Sequence, residues 1–271
     1  MDIKEIKFNK KYGQNFIFDT NLLNSIVSDA KISKEDEVLE IGTGAGTLTK
    51  IIAKKCKKVV SYEIDKNLQS VIQQNLSEIN NAVVIYKDAL KEEIKNIENY
   101  FEDSYSIIAN LPYYITTPLI LKFILQTKRV KKITIMVQKE VAERFSAKCN
   151  SKDYSAITVL LNFYGDVKIL RNVSKRVFVP MPKVDSAVVQ INLENGKYEC
   201  DEKLFLQIVK YAFLMRRKTI YNNLQKGLNI TKDEVTIMLK KCNIDFNKRA
   251  ENLTVENFVD LTKAYFDTIS Q

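Results

Sequence analysis

Short β-branched runs that alternate with helical patterns constrain the fold of this chain more than any other feature. Each run is apolar enough for a strand buried on both faces, and the segments between the runs show helical spacing. The predicted strands are residues 38–41, 59–64, 83–86, 106–109 and 133–137. The predicted helices are residues 47–56, 67–79 and 117–126, the last opened by Thr117 with Pro118 at its first helical position. This alternation predicts an α/β fold with a parallel, doubly wound sheet, on which residues 156–164 and 187–193 form an antiparallel edge hairpin.

The pattern changes near Asp201, where predicted strands give way to predicted helices. After this residue, apolar side chains recur on one helical face. Residues 231–234, Thr-Lys-Asp-Glu, have the spacing of a capping box at the start of another helix. We therefore predict two domains, one with the sheet over residues 1–198 and one that is all-helical over residues 199–271.

The composition indicates a folded protein with a polyanionic partner. The chain has 271 residues, 45% of them hydrophobic, and a formal net charge of +9. This charge favours a nucleic acid, although a lysine-rich composition is also typical of an ordinary solvated surface. Residues 1–11 are basic but lack the apolar core of a signal peptide, and no apolar run approaches the ~20 residues that span a bilayer. We expect a cytoplasmic monomer without membrane contact.

The use of cysteine and histidine argues against a metal site. The chain has no histidine, and its cysteines are widely separated, with no C-x-x-C pair. They are Cys56, Cys149, Cys200 and Cys242. Structural zinc needs closely spaced Cys or His ligands, so we expect free thiols in a reducing compartment and no metal.

A glycine-rich turn follows the first predicted strand and precedes the first predicted helix. Residues 40–46 are Glu-Ile-Gly-Thr-Gly-Ala-Gly. Gly42 and Gly44 let the backbone approach a ligand across the carboxyl end of the strand, the usual crevice of such sheets. The spacing is G-x-G-x-G rather than the dinucleotide pattern G-x-G-x-x-G, which weakens the case for a pyrophosphate.

Two acids come at the ends of the next two predicted strands. Glu63 is placed to hold both hydroxyls of a ribose, and Asp88 is placed to receive an adenine amino group. Taken alone, Glu63 is also compatible with a helix-capping acid, and Asp88 with a turn residue. Together with the glycine-rich turn, and in this order along the chain, they predict a nucleotide-like ligand.

The segment Asn110-Leu111-Pro112-Tyr113 follows an apolar strand and combines an amide, a ring-locked turn and an aromatic face. The Asn110 side-chain oxygen and the Leu111 backbone carbonyl suit the two N–H groups of an exocyclic amine, and Tyr113 suits the face of a flat ring. These features predict an adenine as the target. The competing interpretation is a strand that ends in an ordinary proline turn.

Seven segments together resemble the KsgA/RsmA family of small-subunit rRNA adenine N6,N6-dimethyltransferases. They are residues 12–16 (YGQNF), 40–46, 110–113, 138–141 (QKEV), 182–189 (PKVDSAVV), 216–220 (RRKTI) and 249–252 (RAEN). The related Erm enzymes, which dimethylate an adenine of 23S rRNA, share the glycine-rich turn and the Asn-Leu-Pro-Tyr segment. The PKVDSAVV and RRKT segments resemble the small-subunit branch more closely.

The resemblance implies a fold, a cofactor and a substrate. The implied fold is the Rossmann-like sheet of class I methyltransferases, followed by a small all-helical C-terminal domain that binds RNA. The implied methyl donor is S-adenosylmethionine (SAM). The substrate is 16S rRNA within an immature 30S subunit, where two adjacent adenines of the 3′-terminal hairpin loop are each methylated twice.

The resemblance also assigns residues by position. Cofactor contacts fall on Asn15, Ile17, Gly42, Gly44, Glu63, Asp88 and Asn110, and an aromatic that packs against the target base falls on Phe178. With Asn110 and Leu111 orienting the amine, Tyr113 and Phe178 would grip the base by stacking. Three positions depart from the family pattern, which mostly has Leu at Ile17, often Pro at Thr43 and often Asn at Tyr114. An added ring at Tyr114 could alter the entry of the base.

Basic residues of the predicted second domain supply phosphate contacts. The residues that we assign to RNA binding are Arg216, Arg217, Lys218 and Arg249. Contacts of this kind position RNA without reading its sequence and make binding strongly salt-dependent. Arg217 or Arg249 is alternatively held in a structural pair, the latter with Glu251.

The chemistry of the adenine amine explains why a chain without histidine can do this work. The amine is neutral at pH 7, so attack needs alignment of its lone pair rather than a strong general base.

Two other functions stay open from the sequence. One is an Erm-like enzyme acting on 23S rRNA, and the other is a non-catalytic factor in ribosome assembly or nucleic-acid binding.

Overall fold

The chain folds around a seven-stranded sheet, in a computed structural model that describes residues 15–194 and 196–269. These residues form nine strands and eleven α-helices. The strands are β1 (Phe16–Ile17), β2 (Glu37–Ile41), β3 (Lys58–Tyr62), β4 (Ala82–Ile85), β5 (Tyr105–Asn110), β6 (Val130–Gln138), β7 (Gly165–Val173), β8 (Phe178–Val179) and β9 (Ser186–Leu193). The helices are α1 (Thr20–Asp29), α2 (Thr47–Ala53), α3 (Gln69–Asn75), α4 (Ile94–Glu98), α5 (Thr116–Gln126), α6 (Lys139–Phe145), α7 (Ala156–Tyr164), α8 (Glu202–Ala212), α9 (Ile220–Leu228), α10 (Lys232–Lys241) and α11 (Val255–Ile269).

The order of strands in the large sheet is β4-β3-β2-β5-β6-β9-β7. The pairs from β4 to β6 are parallel, and β9 joins β6 in antiparallel orientation. The chain runs outward from β2 through β3 to β4 and then returns to place β5 on the other side of β2. This reversal creates a switch point where the carboxyl ends of β2 and β5 meet, with Ile41 paired to Ala109. The predicted doubly wound sheet is therefore confirmed.

All five strands predicted from the β-branched runs are present. The central strands are buried on both faces, as predicted, and β2 is buried at all of its positions. β4 differs, because Val83 is exposed and its neighbours in the strand are only half-buried. The reason is its place at the edge of the sheet, where a strand has a neighbour on one side only.

Residues 156–164 form helix α7, so the strand predicted for this run is wrong. Ser155 caps the helix, and its backbone N–H donates to the Thr158 hydroxyl in a capping box. A short, continuously apolar run fits a buried helix as well as a buried strand, and the cap decides between them here. The edge strand next to β9 is β7, and the strand predicted at residues 187–193 is confirmed as β9.

Helix α5 begins at Thr116, one residue before the predicted start. Pro118 is therefore its third residue rather than its first. This position is still in the first turn, where a backbone N–H has no partner within the helix, so proline removes nothing.

The chain divides into two compact units. The first extends to Ala142 and includes Lys168–Leu193, and it contains β1 to β6, β8 and β9. The second comprises Glu143–Val167 and the chain from Glu194 onward, so it includes α7, which a boundary at residue 198 places in the first domain. Thr231 and Glu234 form the predicted capping box of α10 in this unit. None of the helices in the described part of the chain is long and apolar enough to cross a membrane.

Candidate active site

The glycine-rich turn lies at the switch point, between the end of β2 and the start of α2. Gly42 and Gly44 have φ angles of +84° and +57°, a region that favours glycine. A Cβ atom on Gly44 would lie 3.1 Å from the Phe16 ring, and one on Gly42 would lie 3.4 Å from the Asn110 carbonyl oxygen. The Gly42 N–H donates to the Tyr62 carbonyl at 2.8 Å, which ties the turn to the end of β3.

Glu63 follows β3 and is 4% exposed. One carboxylate oxygen accepts from the Gly44 N–H and the other from the Asp65 N–H, each at 2.8 Å. Burial raises the pKa of Glu63, and these two backbone donors oppose the shift. Each oxygen keeps a further lone pair, so the carboxylate can accept two hydroxyl groups. The helix-capping role belongs to Asp65, which caps residues 66–68.

Asp88 follows β4 and begins a turn. Its Oδ1 accepts from the Leu90 N–H at 3.0 Å. The carboxylate thus stabilises its own turn with one oxygen, which matches the turn interpretation, and still has acceptor capacity for a ligand. The turn and ligand roles of Asp88 are compatible.

Asn110 is the last residue of β5. Its Nδ2 donates to the backbone carbonyl of Asn15 at 3.1 Å. Because a carbonyl oxygen can only accept, this bond fixes the orientation of the amide, and Oδ1 points away from Asn15. The side chain therefore presents an acceptor at the end of the strand, as the sequence predicts for recognition of an amine.

One pocket in the first unit brings most of the predicted site residues together. It encloses about 220 Å³ at the carboxyl ends of the parallel strands. The predicted residues on its wall are Asn15, Ile17, Gly42, Gly44, Glu63, Asp88, Asn110 and Leu111. Within the described ranges, no three His, Cys, Asp or Glu side chains are arranged to hold a metal ion.

Two predicted aromatic residues are not on the wall of this pocket. The Tyr113 hydroxyl is 2.8 Å from the Ser186 hydroxyl, and burial raises its pKa. Phe178 is 2% exposed, pairs across the β1–β8 ribbon with Ile17 and packs in the hydrophobic core of the first unit. Stacking of a base on either ring stays a prediction.

Tyr114, the position that departs from the family pattern, does line the pocket. Its side chain is 64% exposed, the largest exposure among the exposed large hydrophobic residues of the described chain. A ring this exposed at a pocket wall is available to a ligand.

Sequence reasoning missed the apolar residues that complete the pocket. Ile64 and Ala89 each directly follow a predicted acid, and Leu90 comes next. Ile64 is 42% exposed although it is apolar. An apolar residue directly after each acid at a strand end is the signal that could have identified them, because a purine needs apolar contact beside its polar anchors.

A series of buried, hydrogen-bonded side chains connects Glu40 to Thr43 in the glycine-rich turn. Glu40 is fully buried, and one carboxyl oxygen accepts from the Thr49 hydroxyl at 2.5 Å and the Ser61 hydroxyl at 2.6 Å. Ser61 is in turn 2.6 Å from the hydroxyl of Thr43 in the glycine-rich turn. Burial raises the pKa of Glu40 to about 8, so its carboxyl group is largely neutral at pH 7.

The predicted RNA-binding residues lie in the second unit. Arg216, Arg217 and Lys218 are exposed in the segment between α8 and α9. Arg216 donates to the Lys152 carbonyl at 3.0 Å. Arg249 is exposed but lies 3.9 Å from Glu251, the structural pair considered as its alternative. An exposed pair of this length stabilises little, so the guanidinium stays accessible to phosphate.

The strand order of the large sheet and the pocket at the carboxyl ends of its strands are typical of a Rossmann-like fold. The sequence pattern of the ribosomal RNA adenine dimethylase family matches residues 5–267. A protein from Clostridium botulinum named ribosomal RNA small subunit methyltransferase A is 44% identical, over 98% of this chain and 96% of the relative. A protein of the same name from Bacillus licheniformis is 41% identical, over 94% of this chain and 90% of the relative. The chain belongs to the ribosomal RNA adenine dimethylase family and is an rRNA methyltransferase.

Solved structures agree with this assignment. A dimethyladenosine transferase from Plasmodium falciparum superposes with a TM-score of 0.83 at 27% identity, covering 93% of this chain and 98% of that one. The 23S rRNA methyltransferase ErmE superposes with a TM-score of 0.73 at 22% identity, covering 93% and 99%, which shows the shared fold. The predicted family and fold class are confirmed.

The pKa of Glu40 predicts a pH-dependent difference between the wild type and Glu40→Gln. The folded pKa is raised above its ordinary value of 4.5, so stability from the neutral carboxyl is complete below about pH 4.5 and is lost as the pH rises towards 8. Gln has the same shape and does not titrate. In urea titrations at several pH values, the free energy of unfolding of Glu40→Gln minus that of the wild type should increase between pH 5 and 8. Parallel curves for the two proteins would refute a neutral buried Glu40.

Proposed function

We propose that this enzyme uses SAM to dimethylate N6 of two adjacent adenines in the 3′-terminal hairpin loop of 16S rRNA, within an immature 30S subunit. The names of its relatives at 41–44% identity support the small subunit as substrate. The observation that carries the chemistry is the Asn110 amide at the pocket wall, whose Nδ2 donates to the Asn15 carbonyl and whose Oδ1 is left as an acceptor.

The residues of the pocket fit SAM. Gly42 and Gly44 bring the backbone of the turn to the pocket wall without a side chain at these two positions. Glu63 offers two acceptors to the ribose hydroxyls, and Asp88 offers one to the adenine amino group. Ile64 and Leu90 supply apolar contact for the purine ring. Bound SAM supplies a methyl group on a sulfonium, an electrophile that needs no metal.

The target adenine amine is oriented by Asn110 and Leu111. Its two N–H groups would donate to the Asn110 Oδ1 and the Leu111 carbonyl, which favours a pyramidal nitrogen with a directed lone pair. The amine is neutral at pH 7, and its proton departs to solvent after the transfer. No general base is required of the chain, which has no histidine.

Aromatic side chains beside this segment are proposed to hold the base. Stacking on an aromatic ring stabilises a bound base by ~1–3 kcal/mol. Tyr114 is the most exposed of the aromatic residues on the pocket wall, while Tyr113 is hydrogen-bonded to Ser186 and Phe178 is buried. We therefore assign the first contact with the entering base to Tyr114, and contacts of Tyr113 and Phe178 to the fully seated base.

The helical unit is proposed to bind the RNA backbone. Arg216, Arg217, Lys218 and Arg249 are its assigned phosphate contacts, and all four side chains are exposed. Neutralising phosphates releases counterions, so affinity for the particle should fall steeply with salt. The protein is proposed to act as a monomer.

The substrate is tested by methyl transfer from labelled SAM to two RNAs in parallel. We expect transfer to 30S particles that lack the modification, and little to protein-free 23S rRNA. Nuclease digestion and mass spectrometry should place dimethyladenosine at two adjacent positions of the 16S 3′ hairpin. Transfer to 23S rRNA instead would establish an Erm-like enzyme, and transfer to neither would favour a non-catalytic assembly factor.

The role of Asn110 is tested by single-turnover kinetics of Asn110→Ala. Loss of the oriented acceptor should lower the methylation rate of bound particles by roughly 10²-fold, the scale for one preorganised polar contact. Particle binding should be almost unchanged. Asn110→Asp keeps an acceptor but loses the N–H₂ group that donates to the Asn15 carbonyl, so it should recover only part of the lost rate. The exposed Asn99→Ala should match the wild type. If Asn110→Ala methylates at the wild-type rate, the alignment mechanism is wrong and residues 110–113 are only a structural proline turn.

A further inference from the structure

Lys122 lies outside the pocket, yet it contacts the turn that carries Asp88. We propose that Lys122 is a positioning residue for the cofactor's adenine ring, because it holds the turn of residues 88–92 so that Asp88 faces the amino group of that ring. This role rests on the proposed binding of an adenosyl cofactor in the pocket.

The ammonium group of Lys122 is fully used by this one turn. Its Nζ donates to the carbonyl oxygens of Ala89 and Leu90, each at 2.9 Å, and to that of Glu92. An ammonium group has three N–H donors, and here three backbone carbonyls of one turn accept them. A lysine that merely covered an apolar surface would send its charge to solvent.

The turn itself converges on Asp88. The N–H groups of Lys91 and Glu92 both donate to the Asp88 carbonyl at 3.1 Å, and the Leu90 N–H donates to its Oδ1. Three N–H groups of the turn therefore donate to Asp88, while three of its carbonyls accept from Lys122. Without the ammonium group, these partly buried carbonyls would lose their partner and the turn could relax away from the pocket.

Electrostatics agree with a structural cation at this place. Partial burial lowers the pKa of Lys122, and the carboxylates of Asp88 and Glu92 oppose the shift. Charge-assisted bonds in a partly desolvated site are stronger than neutral ones. Lys122 thus holds the turn more firmly than a neutral side chain of the same length would.

Lys122 also connects the two sides of the pocket. It belongs to α5, which begins directly after Tyr114 and Ile115, and both of these residues line the pocket. The turn for the cofactor's adenine and the segment for the target base are therefore anchored to one helix of the first unit.

The experiment compares two ligands, S-adenosylhomocysteine and its 6-deamino analogue, in which hydrogen replaces the adenine amino group. Calorimetry on the full-length wild type should show tighter binding of S-adenosylhomocysteine, because only it reaches Asp88. Lys122→Met keeps the apolar stem and removes the donors. It should weaken S-adenosylhomocysteine by about 10-fold, the scale of one charge-assisted hydrogen bond, and leave the analogue nearly unchanged.

The matched control is Lys91→Met, which removes an equal charge from an exposed position of the same turn. Its preference between the two ligands should equal that of the wild type. The ratio of the two affinities does not depend on the folded fraction, so partial unfolding cannot imitate the result. If Lys122→Met does not fold, Lys122→Arg carries the same comparison and should lose part of the preference, because a planar fork cannot converge on three carbonyls.

A Lys122→Met variant that weakens both ligands equally, or neither, would overturn the positioning role. The failure of the proposed function looks different. In that case the wild type itself would bind neither ligand, or would bind both alike, and the assignment of Asp88 to the adenine amino group would fall before Lys122 is tested.

Discussion

The hydrogen bond between the Gly44 N–H and the Glu63 carboxylate is the interaction on which the site depends. It joins the glycine-rich turn after β2 to the acid after β3, at 2.8 Å and largely out of water. An anion that accepts backbone N–H groups in a buried place fixes both partners, because either one alone would be left unsatisfied. The glycine-rich turn and Glu63, the residue that we propose to hold the ribose, are consequently preformed, which lowers the cost of ordering them on ligand binding.

The opposite wall is built in a similar way from groups distant in sequence. Asn110 at the end of β5 is oriented by the backbone of Asn15, and the neighbouring Phe16 pairs with Val179 in the small β1–β8 sheet. The amide that we propose as the acceptor for the target amine is therefore placed by a residue far from it in sequence. In the mechanism that we propose, fixed acceptors align the amine and no titrating base is needed, which is consistent with a chain that has no histidine.

Local signals were enough to predict the sheet, the glycine-rich turn and the acids at the strand ends, because each depends on neighbours in sequence. Residues 156–164 were predicted wrongly as a strand, since an uninterrupted apolar run carries no period and only the Ser155 cap identifies helix α7. Contacts between residues distant in sequence could not be predicted. Neither the hydrogen bond between Tyr113 and Ser186 nor the bonds of Lys122 to the turn at Asp88 correspond to a pattern in the sequence.

The central claim is that Glu63 holds the ribose of SAM, and calorimetric titration of SAM into the wild type and Glu63→Gln tests it most directly. Gln removes the charge and turns an amide N–H₂ group towards a backbone donor, so the account predicts a loss of about 10-fold or more, ~1.5–3 kcal/mol for bonds to a charged group. The exposed Glu78→Gln should bind like the wild type. Equal affinity of Glu63→Gln and the wild type for SAM would contradict the account.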